Sequence, residues 1–269
     1  MLKKNLSCLL SFNLILVLAA GMPSLGRSDV IAEWTFDGVD ASFLADSSGN
    51  GHNLGNAGVT RGTTTVTGTG GSAYFGGAQN GFWTSSVLDL SSYRHLKVTW
   101  AQLVQGNSMA MVFEHSADTN ANSGGFSVDV NEPAAGSGLA SLGPFEAKTL
   151  NSVSFAHGSG SSNTTWENME LDINLDAASN TSVLTLTKNG VVAGSYDNYP
   201  YTTLNNEGDA PASFGEAYYF NIGCRQGGTL SLTGYIDNLT ISSVPEPSAI
   251  MLLGTAILGL IAYAWRKRG

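Results

Sequence analysis

The sequence predicts an all-β fold, an antiparallel two-sheet sandwich of jelly-roll type, set between an N-terminal signal peptide and one C-terminal transmembrane helix. Three observations carry this. Apolar and polar residues alternate with period two in one segment after another, Gly, Ser, Asn and Thr punctuate those segments, and no helical period is sustained before Ala249.

Taken in order, Lys3-Lys4 precede an apolar stretch from Leu6 to Ala20, followed by small residues and Pro23. That is the layout of a secretory signal over residues 1–26, with cleavage after Ala20 or after Gly26. Residues 29–243 then form a body of one-domain size. Between Asp29 and Glu246 stand six cations and all 21 acidic residues, a net charge of −15. A body this acidic excludes nucleic acid and anionic lipid as partners and leaves neutral glycans and divalent cations. Cys8 falls in the signal, so the body keeps Cys224 and no intrachain disulfide forms. Cys224 follows Tyr218, Phe220 and Ile222 on one face of a strand pattern, the place of a small buried apolar residue.

The strands follow from alternation. Ala32, Trp34 and Phe36 face one way and Glu33 and Thr35 the other. Leu96, Val98 and Trp100 alternate with Lys97 and Thr99, Phe126, Val128 and Val130 with Ser127 and Asp129, and Met169, Leu171, Ile173 and Leu175 with Glu170, Asp172 and Asn174. Each segment has one apolar and one wet face, so these are half-buried antiparallel strands with Trp34 and Trp100 in the core. Asn189-Gly190, between Val183–Lys188 and Val191–Tyr196, supplies the positive φ angles of a type I′ hairpin turn. Residues 217–224 and 230–243 form the last strands. The Gly- and Thr-rich tract 58–71 reads equally as a loop or as an edge strand. Many short strands without crossover helices require two packed sheets, because each has an apolar face to cover.

The tail is distinct. Val244-Pro245-Glu246-Pro247-Ser248 leads into an uncharged run, Ala249 to Trp265, of 17 residues, and then Arg266-Lys267-Arg268. As a helix the run reaches ~25 Å, enough to cross a hydrocarbon core, and the cations hold its end in the cytoplasm. Pro-Glu-Pro, a short hydrophobic span and a terminal basic cluster resemble the PEP-CTERM sorting domain of Gram-negative-type bacteria, over residues 244–269. The resemblance implies recognition at Pro245, Glu246 and Pro247 by an exosortase, cleavage near it, and transfer from the inner membrane to the cell surface or extracellular matrix.

A second resemblance covers residues 29–243. Trp34-Thr35-Phe36-Asp37-Gly38, Asp46-Ser47-Ser48-Gly49-Asn50-Gly51, Ala73-Tyr74-Phe75-Gly76-Gly77, Lys188-Asn189-Gly190 and Gly234-Tyr235-Ile236-Asp237-Asn238 resemble, in that order, laminin-G-like members of the concanavalin A-like lectin/glucanase superfamily. A related glycoside hydrolase carries Glu-x-Asp-x-x-Glu on a strand. Glu170-Leu171-Asp172 begins that pattern, but its second glutamate falls on Leu175, so the motif lacks its acid and no hydrolysis is expected there. The histidines His52, His95, His115 and His157 are scattered, and the chain is expected not to be an enzyme. An extracellular polysaccharide is the expected partner. Trp83, Trp166, Tyr199 and Tyr201 stand beside loops and are the candidates to stack on a sugar ring. Structural calcium is the one cofactor indicated. The resemblance nominates Asp37 and Asp237, where first and last strands meet. Asp118, Asn120 and Asn122 space oxygen ligands at alternate positions, as a hard-cation loop does and as ordinary polar turns also do. Asp46 and Asn50 are expected to cap the turn between them.

Overall fold

Alternation becomes pleated sheet throughout the body. The computed structural model describes residues 28–77, 81–84, 86–106, 110–116, 126–130, 137–142, 152–156, 165–176, 181–200, 214, 219–223, 231–245 and 249–267. In chain order the strands are β1 (Val30–Trp34), β2 (Leu54–Ala57), β3 (Thr60–Gly62), β4 (Ser72–Gly76), β5 (Gly81–Thr84), β6 (His95–Val104), β7 (Ala110–Ser116) and β8 (Phe126–Val130). They continue as β9 (Ser137–Leu142), β10 (Ser152–Ala156), β11 (Glu167–Asp176), β12 (Thr181–Lys188), β13 (Val191–Pro200), β14 (Tyr219–Ile222) and β15 (Thr233–Ser243). A helix, α1 (Ala249–Arg266), follows. Val30–Ser243 is one compact unit, and α1 belongs to another.

Every pairing in the body is antiparallel. Sheet I runs β13-β12-β11-β6-β15-β4-β3, with β1 also on β15, and sheet II runs β10-β9-β8-β7-β14-β5-β2. β15 pairs β6 on one side from Gly234 to Ser243. On its other side it pairs β4 through Thr233–Ile236 and then β1 through Leu239–Ser242, so first and last strands lie together. The exchange occurs where the register slips between Asp237 and Thr240, at Asn238, whose φ of 49° is left-handed. Asn tolerates that region better than most residues, and the bulge turns the strand.

The predicted inward residues meet between the sheets. Trp34 stacks on Phe220 at 5.6 Å, Phe113 lies 5.4 Å from Phe220 and 4.8 Å from Trp100, and Phe82 contacts Phe36 and Phe75. His115 joins this core, stacked on Phe126 with Nε2 2.9 Å from the Leu88 carbonyl. One polar chain crosses it. Trp100 Nε1 donates to Gln102 Oε1, Gln102 Nε2 donates to Glu167 Oε2, and Lys188 pairs with Glu167 Oε1 at 2.6 Å and donates to the Ala156 carbonyl of sheet II. Buried polar atoms must be paired, and this chain pairs them.

The local expectations are met at particular residues. Asn189 and Gly190 have φ of 51° and 78°, as a type I′ turn requires. Asp46 accepts from the N–H groups of Glu33, Ser48 and His52, and Asn50 Nδ2 donates to the Val30 and Ile31 carbonyls, which fastens the turn to β1. Burial pushes the Asp46 carboxyl up, but the Ser48, Glu33 and His52 hydrogen bonds outweigh it and hold it below the usual range. The 58–71 tract is both things its composition allowed: Thr60–Gly62 is an edge strand, and 63–71 is a loop. Cys224 lies outside the described residues. So do the side chains of 249–256 in α1, and among the described residues no helix is long and apolar enough to cross a membrane.

Phe113 is fully buried between Trp100, Phe126 and Phe220. Phe113→Ala is expected to lower the unfolding free energy by about 3–5 kcal/mol. Val191→Ala, at a residue 70% exposed, is expected to change it by less than about 0.5 kcal/mol. Urea unfolding of both variants checks this.

Candidate functional site

The face of sheet II turned away from the core is polar and buried. Glu114 of β7 stands opposite Asn221 of β14 on one side and Ser127 of β8 on the other. Asp129, two residues on from Ser127, shares their face. All four are 5% exposed or less, although an outward strand face is ordinarily wet. Ser127 Oγ donates to Asp129 Oδ2 at 3.4 Å. Asn221 Oδ1 is buried without a hydrogen-bond partner among the described residues. A buried amide oxygen in that condition forfeits on the order of 1–3 kcal/mol, which a ligand hydroxyl would restore. The row therefore sets carboxylate, hydroxyl and amide groups side by side, away from bulk water.

The outward face of sheet I is different. Glu170 and Asp172 are half-exposed and matched by side chains of β6: Lys97 Nζ is 2.9 Å from Glu170 Oε1, and His95 Nε2 is 2.8 Å from Asp172 Oδ1. Their cross-strand positions make them a charge ladder on a solvated face. Farther along, at the bulge of β15, two aspartates are brought together. Asp237 is 2% exposed and its Oδ2 accepts from the Val66 N–H, while Asp37 Oδ1 accepts from the Gly71 N–H. Arg61 ties the same loop, donating to the Asp37 and Gly70 carbonyls. Gly70 has φ of 89°, and a Cβ there would lie 1.9 Å from Asp37 Oδ1, so only glycine lets the loop approach the carboxylate. Burial pushes Asp237 up to about 6; the Val66 and Asn238 N–H groups oppose the rise and the Asp37 charge adds to it.

The sequence candidates fall in several places. Asp37 and Asp237 stand close enough for the Asp37 charge to act on Asp237. Trp166 precedes β11, half-buried, with its ring 6.3 Å from Tyr235. Trp83 sits in β5 in register with Asn221, and Tyr199 in β13 in register with Ser182; the side chains of both lie outside the described residues, as do Tyr201 and the Asp118, Asn120 and Asn122 loop. Pro245 is described and exposed, and Glu246 and Pro247 are not described. Among the described residues no group of three or more His, Cys, Asp or Glu is placed to hold a metal. Sequence reasoning passed over Glu114, Asn221 and the Glu167–Lys188 pair. The alternation around Ser127 and Asp129 gave their face but not its depth.

Comparison with known proteins agrees with this division. Residues 243–268 match the PEP-CTERM protein-sorting motif, which marks an exported chain sorted by an exosortase. Among curated proteins none matches the chain in sequence. Among solved structures, domain 4 of AbnA, a GH43 extracellular arabinanase from Geobacillus stearothermophilus in complex with arabinotriose, aligns with a TM-score of 0.55 at 18% identity, over 85% of this chain and 99% of that one. The binding domain of botulinum neurotoxin DC in complex with rat synaptotagmin II aligns with a TM-score of 0.54 at 10% identity, over 85% of this chain and 51% of that one. Botulinum neurotoxin type C, whose cell entry depends on interaction with two ganglioside molecules, aligns with a TM-score of 0.52 at 11% identity, over 85% and 51%. At these identities the likeness is one of fold: a β-sandwich.

Two buried groups make stability depend on pH in opposite senses. Burial pushes His115 down to about 4 from 6.5, so between these values the unfolded chain binds more protons and stability falls as pH drops. Asp237 is raised to about 6 from 3.8, so its contribution is present below 3.8 and is lost as pH rises through 6. Asp237→Asn keeps an acceptor for Val66 and removes the charge. It is expected to raise the melting temperature at pH 8 and to leave it nearly unchanged at pH 4, as scanning calorimetry would record.

Proposed function

We propose that this is an exported, non-catalytic carbohydrate-binding protein, held in the inner membrane by α1 until an exosortase acts at Pro245-Glu246-Pro247, and then placed at the cell surface or in the extracellular matrix. The observation that carries the binding reading is the buried polar row on sheet II, where Asn221 holds an acceptor without a partner among the described residues, beside Glu114 and Ser127. Sugar hydroxyls donate and accept at once, so a row of carboxylate, amide and hydroxyl groups suits them. An acidic body favours a neutral glycan over an anionic one. The membrane reading rests on the uncharged sequence 249–265 and on Ile257, Leu258, Leu260, Tyr263 and Trp265, whose side chains are 40–68% exposed. Replacing Pro245, Glu246 and Pro247 together by alanine is expected to retain the protein in the membrane fraction, where immunoblotting of fractionated cells would detect it.

Calcium is part of the proposal at the Asp37–Asp237 corner. Two neighbouring carboxylates suit a hard divalent cation, and charge repulsion between them is the disadvantage it would remove. The full chain, purified in detergent, is expected to melt at a higher temperature in calcium than in chelator, and Asp237→Asn is expected to abolish that difference. A further rise is expected with a neutral oligosaccharide, and Asn221→Ala is expected to weaken binding about three- to tenfold. Unchanged affinity in Asn221→Ala and Glu114→Gln would remove sheet II from the reading.

One observation favours a second reading, a carbohydrate-active enzyme. Glu114 and Asp129 are diagonal neighbours on adjacent strands beside the bulge at Val112, a relation that in a regular ladder spans roughly 7–8 Å, with Cβ atoms somewhat closer. Inverting glycosidases separate their carboxyl groups by about 6.5–9.5 Å. Sustained release of reducing sugar, lost in Glu114→Gln, would establish this reading in place of the first.

A further inference from the structure

On the opposite side of the sandwich, the outward face of sheet I opens into a cleft of about 330 Å³. Its floor is formed by β6 and β11, with Thr99, Asn168 and Glu170 directed into it. Thr187 and the β12–β13 turn bound one side, and Val66 with Asn238 bounds the other. Two features already described make the opening. The bulge at Asn238 interrupts the register of β15 between Asp237 and Thr240, and Asp237 holds the 63–71 loop by the Val66 N–H, so that this loop stands beside the face as a wall. The volume is at the lower end of the range for small-ligand sites.

The lining is mixed in a particular way. Two hydroxyls, two side-chain amides and one carboxylate face the cleft, and the carboxylate is balanced by Lys97 at 2.9 Å. Such a set donates and accepts without net charge. An aromatic strip adjoins it. Trp166 lies two residues before Asn168, immediately ahead of β11. Its ring is 6.3 Å from Tyr235, whose ring is 4.9 Å from Tyr74, and all three are half-buried. Tyr235 packs over Gly62, where a Cβ would lie 2.9 Å from Cε1, so the strip is seated on the edge strand.

Ligand classes separate on this geometry. A peptide adding to a sheet needs a free strand edge, and the cleft lies on a face. A phosphorylated ligand needs unpaired cations, and Lys97 is already paired. Anionic polysaccharide meets a body of net charge −15. A neutral sugar chain fits: one ring in the cleft, its hydroxyls on the threonine and asparagine groups, and following rings stacked along Trp166 and Tyr235. We propose that this cleft and strip form a saccharide-binding site separate from the row on sheet II, so that one domain can hold two neutral polysaccharide chains on opposite faces. The site does not depend on the reading of sheet II.

The test uses the full chain in detergent, titrated calorimetrically with cellohexaose, laminarihexaose and chitohexaose as neutral probes and hexagalacturonate as the anionic one. At least one neutral probe is expected to bind. Trp166→Ala is expected to weaken that binding about five- to tenfold. Thr187→Arg, which fills the cleft from a half-exposed strand position, is expected to abolish it. Asn221→Ala is expected to leave this component untouched, so the two sites fail separately: loss in Asn221→Ala alone points to sheet II, and loss in Trp166→Ala and Thr187→Arg alone points to sheet I. Melting curves show which variants remain folded, and Glu170→Gln replaces either variant that does not, with the same weakening expected. The proposal is overturned if no neutral probe binds, if hexagalacturonate binds more tightly than any of them, or if the folded variants bind as the parent does.

Discussion

The body depends on how β15 is held. One edge is paired to β6 on both sides of the slip at Asn238, while its other edge is divided between β4 and β1. A strand bonded on both edges has no free N–H or C=O groups to recruit another chain, and the division brings the two ends of the domain together without a long connection. The division also has a local cost, since one strand must be released before the next is taken up. Asn238 in the left-handed region and the slipped register absorb that change. Asp37 and Asp237 stand at the point of release, where they hold the 63–71 loop by backbone N–H groups. The loop position, the aspartate pair and the wall of the sheet I cleft all follow from one change of partner.

Much of this was legible because it is local. The Asn189-Gly190 turn needs two positive φ angles, and those residues supply them at least cost. Trp34, Trp100 and the β11 leucines and isoleucine were placed by alternation alone, and all are buried. Pairing was not legible, since the partners of a strand are chosen by contacts far away in sequence. Period two told which way Ser127 and Asp129 point, but could not tell that Glu114 and Asn221 stand beside them, or that their face is buried. The Glu167–Lys188 pair escaped for another reason: Lys188 was read as a hairpin flank, and its reach across the core to Ala156 depends on the spacing between the sheets.

The two outward faces use charge differently. On sheet I, Glu170 and Asp172 are matched across a strand pair by Lys97 and His95, and water screens what remains. On sheet II, polar groups are withdrawn from water, where each hydrogen bond made or missed counts for more. The same alternating pattern thus yields a solvated ladder on one side and a buried row on the other, and the sequence of the strands alone does not distinguish them.

The pairing of β15 has a mechanical consequence. The chain leaves the body at Ser243 and enters the sorting tail directly. A pull along the axis of β15 would run perpendicular to its antiparallel hydrogen bonds. The bonds to β6 and β1 are then loaded together, in shear, instead of being unzipped one after another.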